Sequence, residues 1–321
     1  MVSIIRNLLE ANAKTDITDE SGRRPLLRAA ELGHSDIVQI LLENNADVNA
    51  QGGHFGNALQ AASSAGHLVV VQKLLDNGAD VNARGGYFGN ALQAASSAGH
   101  LVVVQKLLDN GADVNARGGY FGNALQAASS AGHLAIVQKL LYNGANVNAQ
   151  GGRYGNALQG AIVEGHDEII EQLLSAKPQS KDHELRVASF MGYDKAVCML
   201  ISKGADVNAH GLFVNALYAA ASKGHDHIVK ILLDNDADVN AQGSHNENAL
   251  YAAASEGHEE VIRMLLEKGV DVNMRGGCHG NAVRAAFKKG HSNIVKLLLD
   301  HGADIKAHIG RNGIFEGRGY E

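Results

Sequence analysis

The residues best suited to chemistry in this 321-residue chain are its sixteen histidines and two cysteines. Imidazole nitrogens and thiolates bind metals, and imidazole moves protons near neutral pH. Eight of the histidines, however, are one position repeated. His34, His67, His100, His133 and His166 are spaced by 33 residues, and after one interruption so are His225, His258 and His291. Helices carrying such copies pack about 8–10 Å apart. Two ligands of one zinc must each approach it to about 2.0–2.1 Å. Neighbouring copies would have to lean together, so a structural place at a helix junction is the expectation. His245, Cys278 and His279 are the one cluster of mixed ligand types, and it brings no fourth ligand at a defined spacing. No metal and no cofactor is expected.

The glycine-rich segments invite a second chemistry, the cradling of phosphate. Gly85-Gly86-Tyr87-Phe88-Gly89 has copies along the chain. A dinucleotide fingerprint needs a buried strand before its glycines, and a P-loop needs Gly-Lys-Ser/Thr at the start of its helix. Neither is present, so the glycines are expected to make turns. No nucleophile elbow, HExxH or paired-carboxylate pattern stands out either, and the expectation is a non-catalytic protein. An enzyme site would have to break the repeat.

The period organises everything else. Gly56-Asn57-Ala58-Leu59 returns at 89–92, 122–125 and 155–158, and looser copies follow at Asn215, Asn248 and Asn281. Segments 54–86 and 87–119 differ only at His54/Tyr87. Each unit reads as two short helices and a long loop. Asn57 is placed to cap the first helix, Leu59, Ala61 and Ala62 are small enough for close stacking, and Gly66 ends it. A second helix puts Val70, Val71, Leu74 and Leu75 on one face, and Asn77-Gly78 closes it. Nine anchors mark the units: Leu26, Leu59, Leu92, Leu125, Leu158, Leu185, Leu217, Leu250 and Val283. Ile4, Ile5, Leu8 and Leu9 suggest a second helix before them without its first.

The pattern Leu-x-Ala-Ala-x-x-Gly-His-x-x-x-Val-x-x-Leu-Leu-x-x-Gly-Ala-Asp-Val-Asn resembles the ankyrin repeat, whose period is 33 residues. The helix-opening Thr-Pro-Leu-His of typical repeats stands here as Asn-Ala-Leu-Gln, or as Arg24-Pro25-Leu26-Leu27 in the first unit. The Gly-Gly-x-aromatic-Gly-Asn-Ala-Leu variant is similar to arrays common in fungal proteins. The resemblance implies an all-α solenoid of helix pairs joined by finger-like hairpin loops. It also implies that partners are bound by the finger tips and the first helices, on the concave side.

Composition agrees with that class. Hydrophobic residues are 45% of the chain, enough for a core, and glycine reaches 38 residues against two prolines. Two cysteines do not make a disulfide scaffold. A net charge of −6 argues against direct nucleic-acid binding. No apolar run nears the roughly 18 residues of a membrane span, and Met1–Glu10 does not read as a leader. A cytoplasmic protein is expected, with nuclear entry as the other option.

Between Leu158 and Leu185 the step shortens and a finger is lost around Ser175–Ser180. The expected organisation is an N-terminal stack at 1–174 (a partial repeat plus about five), a C-terminal stack at 175–309 (a shortened repeat plus three to four) and a Gly-rich tail at 310–321. Departures from the repeat cluster beyond Arg153. Carried over from the resemblance, the finger tips are His54, Tyr87, Tyr120, Arg153, Leu212, His245 and Cys278. The first-helix ends are Ser64-Ala65 in the early copies, then Val163-Glu164, Phe190-Met191, Ser222-Lys223, Ser255-Glu256 and Lys288-Lys289. Candidate partner contacts are Tyr87, Tyr120, Arg153, Val163, Phe190, Met191, Phe213 and Tyr218. For Phe190 and Met191, filling the space of the lost finger is an equal alternative. The function expected is a protein–protein interaction scaffold, within a larger protein or packed end to end. A regulatory subunit or transcriptional coregulator working through a DNA-binding partner is the other reading, and an enzyme the third.

Overall fold

Asn57 starts a helix because its side-chain oxygen accepts the N–H of Gln60 at 2.9 Å, satisfying a donor that the first turn leaves free. Gly66 stops that helix with φ 76°, a left-handed turn that a Cβ would strain. His67 then turns the chain into a second helix. Repetition of this local grammar gives the fold. A computed structural model describes residues 2–176, 178, 181–210, 215–243 and 247–305. Among them are nineteen helices and no strand beyond isolated bridges. None of these helices is long and apolar enough to cross a membrane.

Two units are distinguished, Met1–Gln179 and Ser180–Glu321. In the first, α1 (Val2–Glu10) is a second helix without a first helix before it among the described residues. It is followed by first helices α2 (Pro25–Glu31), α4 (Ala58–Ala65), α6 (Ala91–Ala98), α8 (Ala124–Ser130) and α10 (Ala157–Val163). The second helices are α3 (Ser35–Glu43), α5 (Leu68–Asp76), α7 (Leu101–Asp109), α9 (Leu134–Tyr142) and α11 (Asp167–Ser175). The second unit pairs α12 (Lys181–Met191) with α13 (Asp194–Ser202) and α14 (Ala216–Lys223) with α15 (Asp226–Asp234). It continues with α16 (Ala249–Glu256) and α17 (Glu259–Glu267), then α18 (Ala282–Lys289) and α19 (Ser292–Asp300).

Each first helix packs on the first helices beside it in its unit, and on its own second helix. All nine anchor residues are buried, as are the alanines two and three positions after Leu59, Leu92 and Leu125. Small side chains there let the first helices approach closely. In α5, Val70, Val71 and Leu74 are buried, while Leu75 is only half-buried.

The recurring histidines bridge consecutive repeats within each unit. His67 Nε2 lies 3.1 Å from the carbonyl oxygen of Glu31, His100 Nε2 3.0 Å from that of Ser64, and His133 Nε2 3.1 Å from that of Ser97. His225, His258 and His291 do the same in the second unit. Each ring thus holds a carbonyl at the end of the preceding first helix, which the helix itself leaves without a donor.

Candidate interaction surface

The loops between repeats of the first unit are short hairpins. Gly85 pairs with Gly89, Gly118 with Gly122 and Gly151 with Gly155. Two kinds of contact tie each finger to its neighbours. At the base, Asn49 Nδ2 donates to the Gly78 carbonyl at 3.1 Å while its Oδ1 accepts the Asp80 N–H at 2.8 Å. Asn82 and Asn115 repeat both bonds. Inside, the buried Gln60 reaches from the first helix to the carbonyl oxygen of Ala83 on the next finger, with Nε2 at 3.0 Å. Gln93 and Gln126 do so in turn. First helices and fingers therefore share one surface.

The tips meet directly. The N–H of Tyr87 donates to the His54 carbonyl at 2.9 Å, that of Tyr120 to Tyr87 at 2.9 Å, and that of Arg153 to Tyr120 at 3.0 Å. This brings the side chains into register. The rings of His54, Tyr87 and Tyr120 stack face to face, with centroids 4.9 and 4.8 Å apart. Phe55, Phe88 and Phe121 form a parallel row at 6.3 and 6.5 Å. Such close approach requires glycine. A Cβ on Gly86, whose φ is 62°, would overlap the carbonyl of Phe55, and Gly119 and Gly152 stand in the same relation to Phe88 and Phe121.

Arg153 ends the row. Its guanidinium carbon is 5.5 Å from the centre of the Tyr120 ring and 5.1 Å from that of Tyr154. Its Nη1 donates to the Tyr120 hydroxyl at 2.5 Å. Tyr154 donates to the Glu164 carboxylate. Burial, then that hydrogen bond, pushes the Tyr154 phenol up to about 12. Val163, one residue before Glu164, is half-buried.

In the second unit Phe190 is 45% and Met191 40% exposed at the end of α12. Lys223 Nζ sits 4.5 Å from the centre of the Phe190 ring, and the Phe190 carbonyl is 3.1 Å from His225 Nε2. The backbone is pinned and the side chains face outward. Tyr218 and Tyr251 take the place of the finger-bracing glutamines. Tyr218 donates to Glu247 at 2.7 Å, and the Tyr251 hydroxyl lies 3.4 Å from Cys278 Sγ. Burial, reinforced by the bond to Glu247, holds the Tyr218 phenol well above its usual range. Tyr218 is thus half-buried and engaged within its unit. Phe213, Leu212 and His245 lie outside the described residues, as does the tail 310–321.

The continuous stack of tips in the first unit is absent from the expectations drawn from spacing. Spacing alone places Tyr87 and Tyr120 on equivalent tips but does not say how near those tips come. The paired glycines before each tip were the available signal.

No curated protein matches the chain. A family model of ankyrin repeats, three copies long, matches residues 1–85, 51–118, 92–183, 125–211, 185–276 and 217–309 in overlapping registers. With stacked helix pairs throughout and that match over nearly its whole length, the chain belongs to the ankyrin-repeat family.

Proposed function

We propose that this chain is a non-catalytic scaffold that binds a partner protein through its first helices and fingers. Ankyrin repeats generally serve as protein–protein interaction modules, and the chain's own residues support that use. The observation that carries the reading is the exposure of Phe190 and Met191 where the early repeats have Ser64 and Ala65. Large apolar side chains held on a fixed backbone form binding hot spots, because little entropy is lost when they are covered. Arg153, Tyr87 and Tyr120 supply a second group of contacts on the first unit, with Val163 at the end of α10, and Tyr218 in the first turn of α14 adds to the group on the second. Cys198 and Cys278 are exposed and free, which suits a reducing compartment, the cytoplasm or nucleus.

Affinity capture from the native cell tests the reading. Phe190→Ala combined with Met191→Ala should weaken capture of the partner about tenfold or more, with thermal melting unchanged. Unchanged capture by a normally folded variant would move the binding site elsewhere.

A further inference from the structure

The finger row of the first unit has a charge character that the chain as a whole lacks. Four fingers, 51–57, 84–90, 117–123 and 150–156, carry Arg84, Arg117 and Arg153 and no aspartate or glutamate, in a chain of net charge −6. All three arginines are exposed, and none has an ion-pair partner among the described residues. Glu164 is engaged by the Tyr154 hydroxyl and acts on Arg153 electrostatically, while Asp80 and Asp113 stand four residues before Arg84 and Arg117, at the finger bases. Arg153 is held between two tyrosine rings, so its fork of donors is oriented before any ligand arrives.

Beside these cations runs the stacked row of His54, Tyr87 and Tyr120. Its geometry decides which polyanion fits. The faces of Tyr87 are covered by the rings on either side at 4.9 and 4.8 Å. What Tyr87 offers outward is its ring edge and hydroxyl, over the 37% of its surface that is exposed. Single-stranded nucleic acids bind by laying bases on free aromatic faces, and a closed stack offers none along its length. Ring edges suit edge-to-face packing against another aromatic side chain, and arginines suit bidentate pairing with carboxylates.

We infer that the fingers of the first unit, Arg84 through Arg153, bind an extended acidic segment of a partner protein that carries aromatic residues between its carboxylates. This rests on the protein-binding reading above and names the partner's chemistry at one part of that surface.

The test uses the full purified chain and three fluorescent probes: a short peptide alternating glutamate and tyrosine, its lysine–tyrosine counterpart, and a single-stranded oligothymidine. The acidic peptide should bind tightest, and its affinity should fall as salt is raised. Arg84→Gln, Arg117→Gln and Arg153→Gln together should lower that affinity about tenfold or more. Glutamine already occupies the position of Arg84 and Arg117 in other repeats, as Gln51 and Gln150, so those two changes are suited to leave melting unaltered. If melting drops, Arg84→Gln with Arg117→Gln alone should still weaken binding several-fold. Equal binding of the acidic and lysine peptides, full affinity in the arginine variants, or oligothymidine binding as tight as the acidic peptide would each overturn the inference. Should the arginine variants fail to respond while Phe190→Ala with Met191→Ala abolishes capture of a cellular partner, this inference falls and the scaffold reading stands.

Discussion

Tyr120 is joined to Tyr87 twice, by an N–H bond of 2.9 Å to the Tyr87 carbonyl and by ring stacking at 4.8 Å between centroids. Either contact alone is modest. Together they turn separate loops into a braced edge, so finger tips that look like free surface also contribute to stability. An aromatic pair adds about 0.5–1.5 kcal/mol beyond its buried area, and Tyr87 stacks on both sides. Tyr87→Ala should therefore destabilise the chain by about 1–2 kcal/mol. Leu92→Ala, at a buried anchor, should lose about 2–5 kcal/mol. Tyr142, 87% exposed at the end of α9, should tolerate alanine with almost no change. Urea unfolding of the three variants checks the order, and a Tyr87→Ala variant as stable as Tyr142→Ala would mean that the stack contributes nothing.

The double glycines should differ from those, such as Gly78, that close second helices. Gly78 also has a positive φ, 85°, but a Cβ there meets nothing within 4 Å. The equivalent place in the first repeat is already held by Asn45 at φ 62°. Gly78→Asn should thus cost about 1 kcal/mol or less. Gly86→Asn adds overlap with the Phe55 carbonyl and should cost distinctly more, with the finger row pushed apart. A comparison of melting temperatures decides it, and equal losses would refute the close approach of the tips.

Much of this architecture was legible because one repeat is written many times. Leu59 and Leu92 must be equivalent, Asn57 must cap, and the eight histidines must share one place in their repeats. What stayed hidden lay between repeats. Gln60 is polar, yet it is buried with its amide on the Ala83 carbonyl. That contact joins positions 23 residues apart, and its existence depends on how tightly the fingers fold back, which no local pattern encodes. Phe190 and Met191 were ambiguous for a related reason. A helix end beside a lost finger can be open or filled, and only packing decides.

The shortened repeat shows how a missing finger is replaced. Lys181 Nζ donates to the Lys203 carbonyl at 2.8 Å, and Asp182 Oδ1 accepts the Asp206 N–H at 2.8 Å. The second matches the bond that Asn49 Oδ1 makes to the Asp80 N–H, and the first falls on Lys203, one residue before Gly204, the counterpart of the Gly78 that Asn49 Nδ2 holds. The start of α12 has taken over the work of the finger base. Asp182→Ala should cost about 1 kcal/mol, the net value of one such hydrogen bond. Asp182→Asn keeps the acceptor and should restore most of it. Equal losses in both variants would show that charge, not the acceptor, is what matters at this position.

Alkaline stability offers a last test, at Tyr251. Its ring is only 5% exposed and its hydroxyl lies 3.4 Å from Cys278 Sγ. Burial first, then that contact, pushes the phenol up to about 12, while in an unfolded chain it ionises near 10. The folded state therefore holds the proton through a range in which the unfolded state releases it. The contribution of this phenol to stability is complete below about pH 10 and is lost as pH rises towards about 12. Tyr251→Phe has no proton to lose. It should start slightly less stable at about pH 9, for want of the contact with Cys278, and then decline less steeply than the parent chain between about pH 10 and 12. Urea midpoints across that range measure the difference, in which every other tyrosine and lysine is common to both proteins. Parallel pH profiles would mean that Tyr251 ionises as readily in the folded protein as in the unfolded one, and that the bond bracing the last described finger is absent in solution.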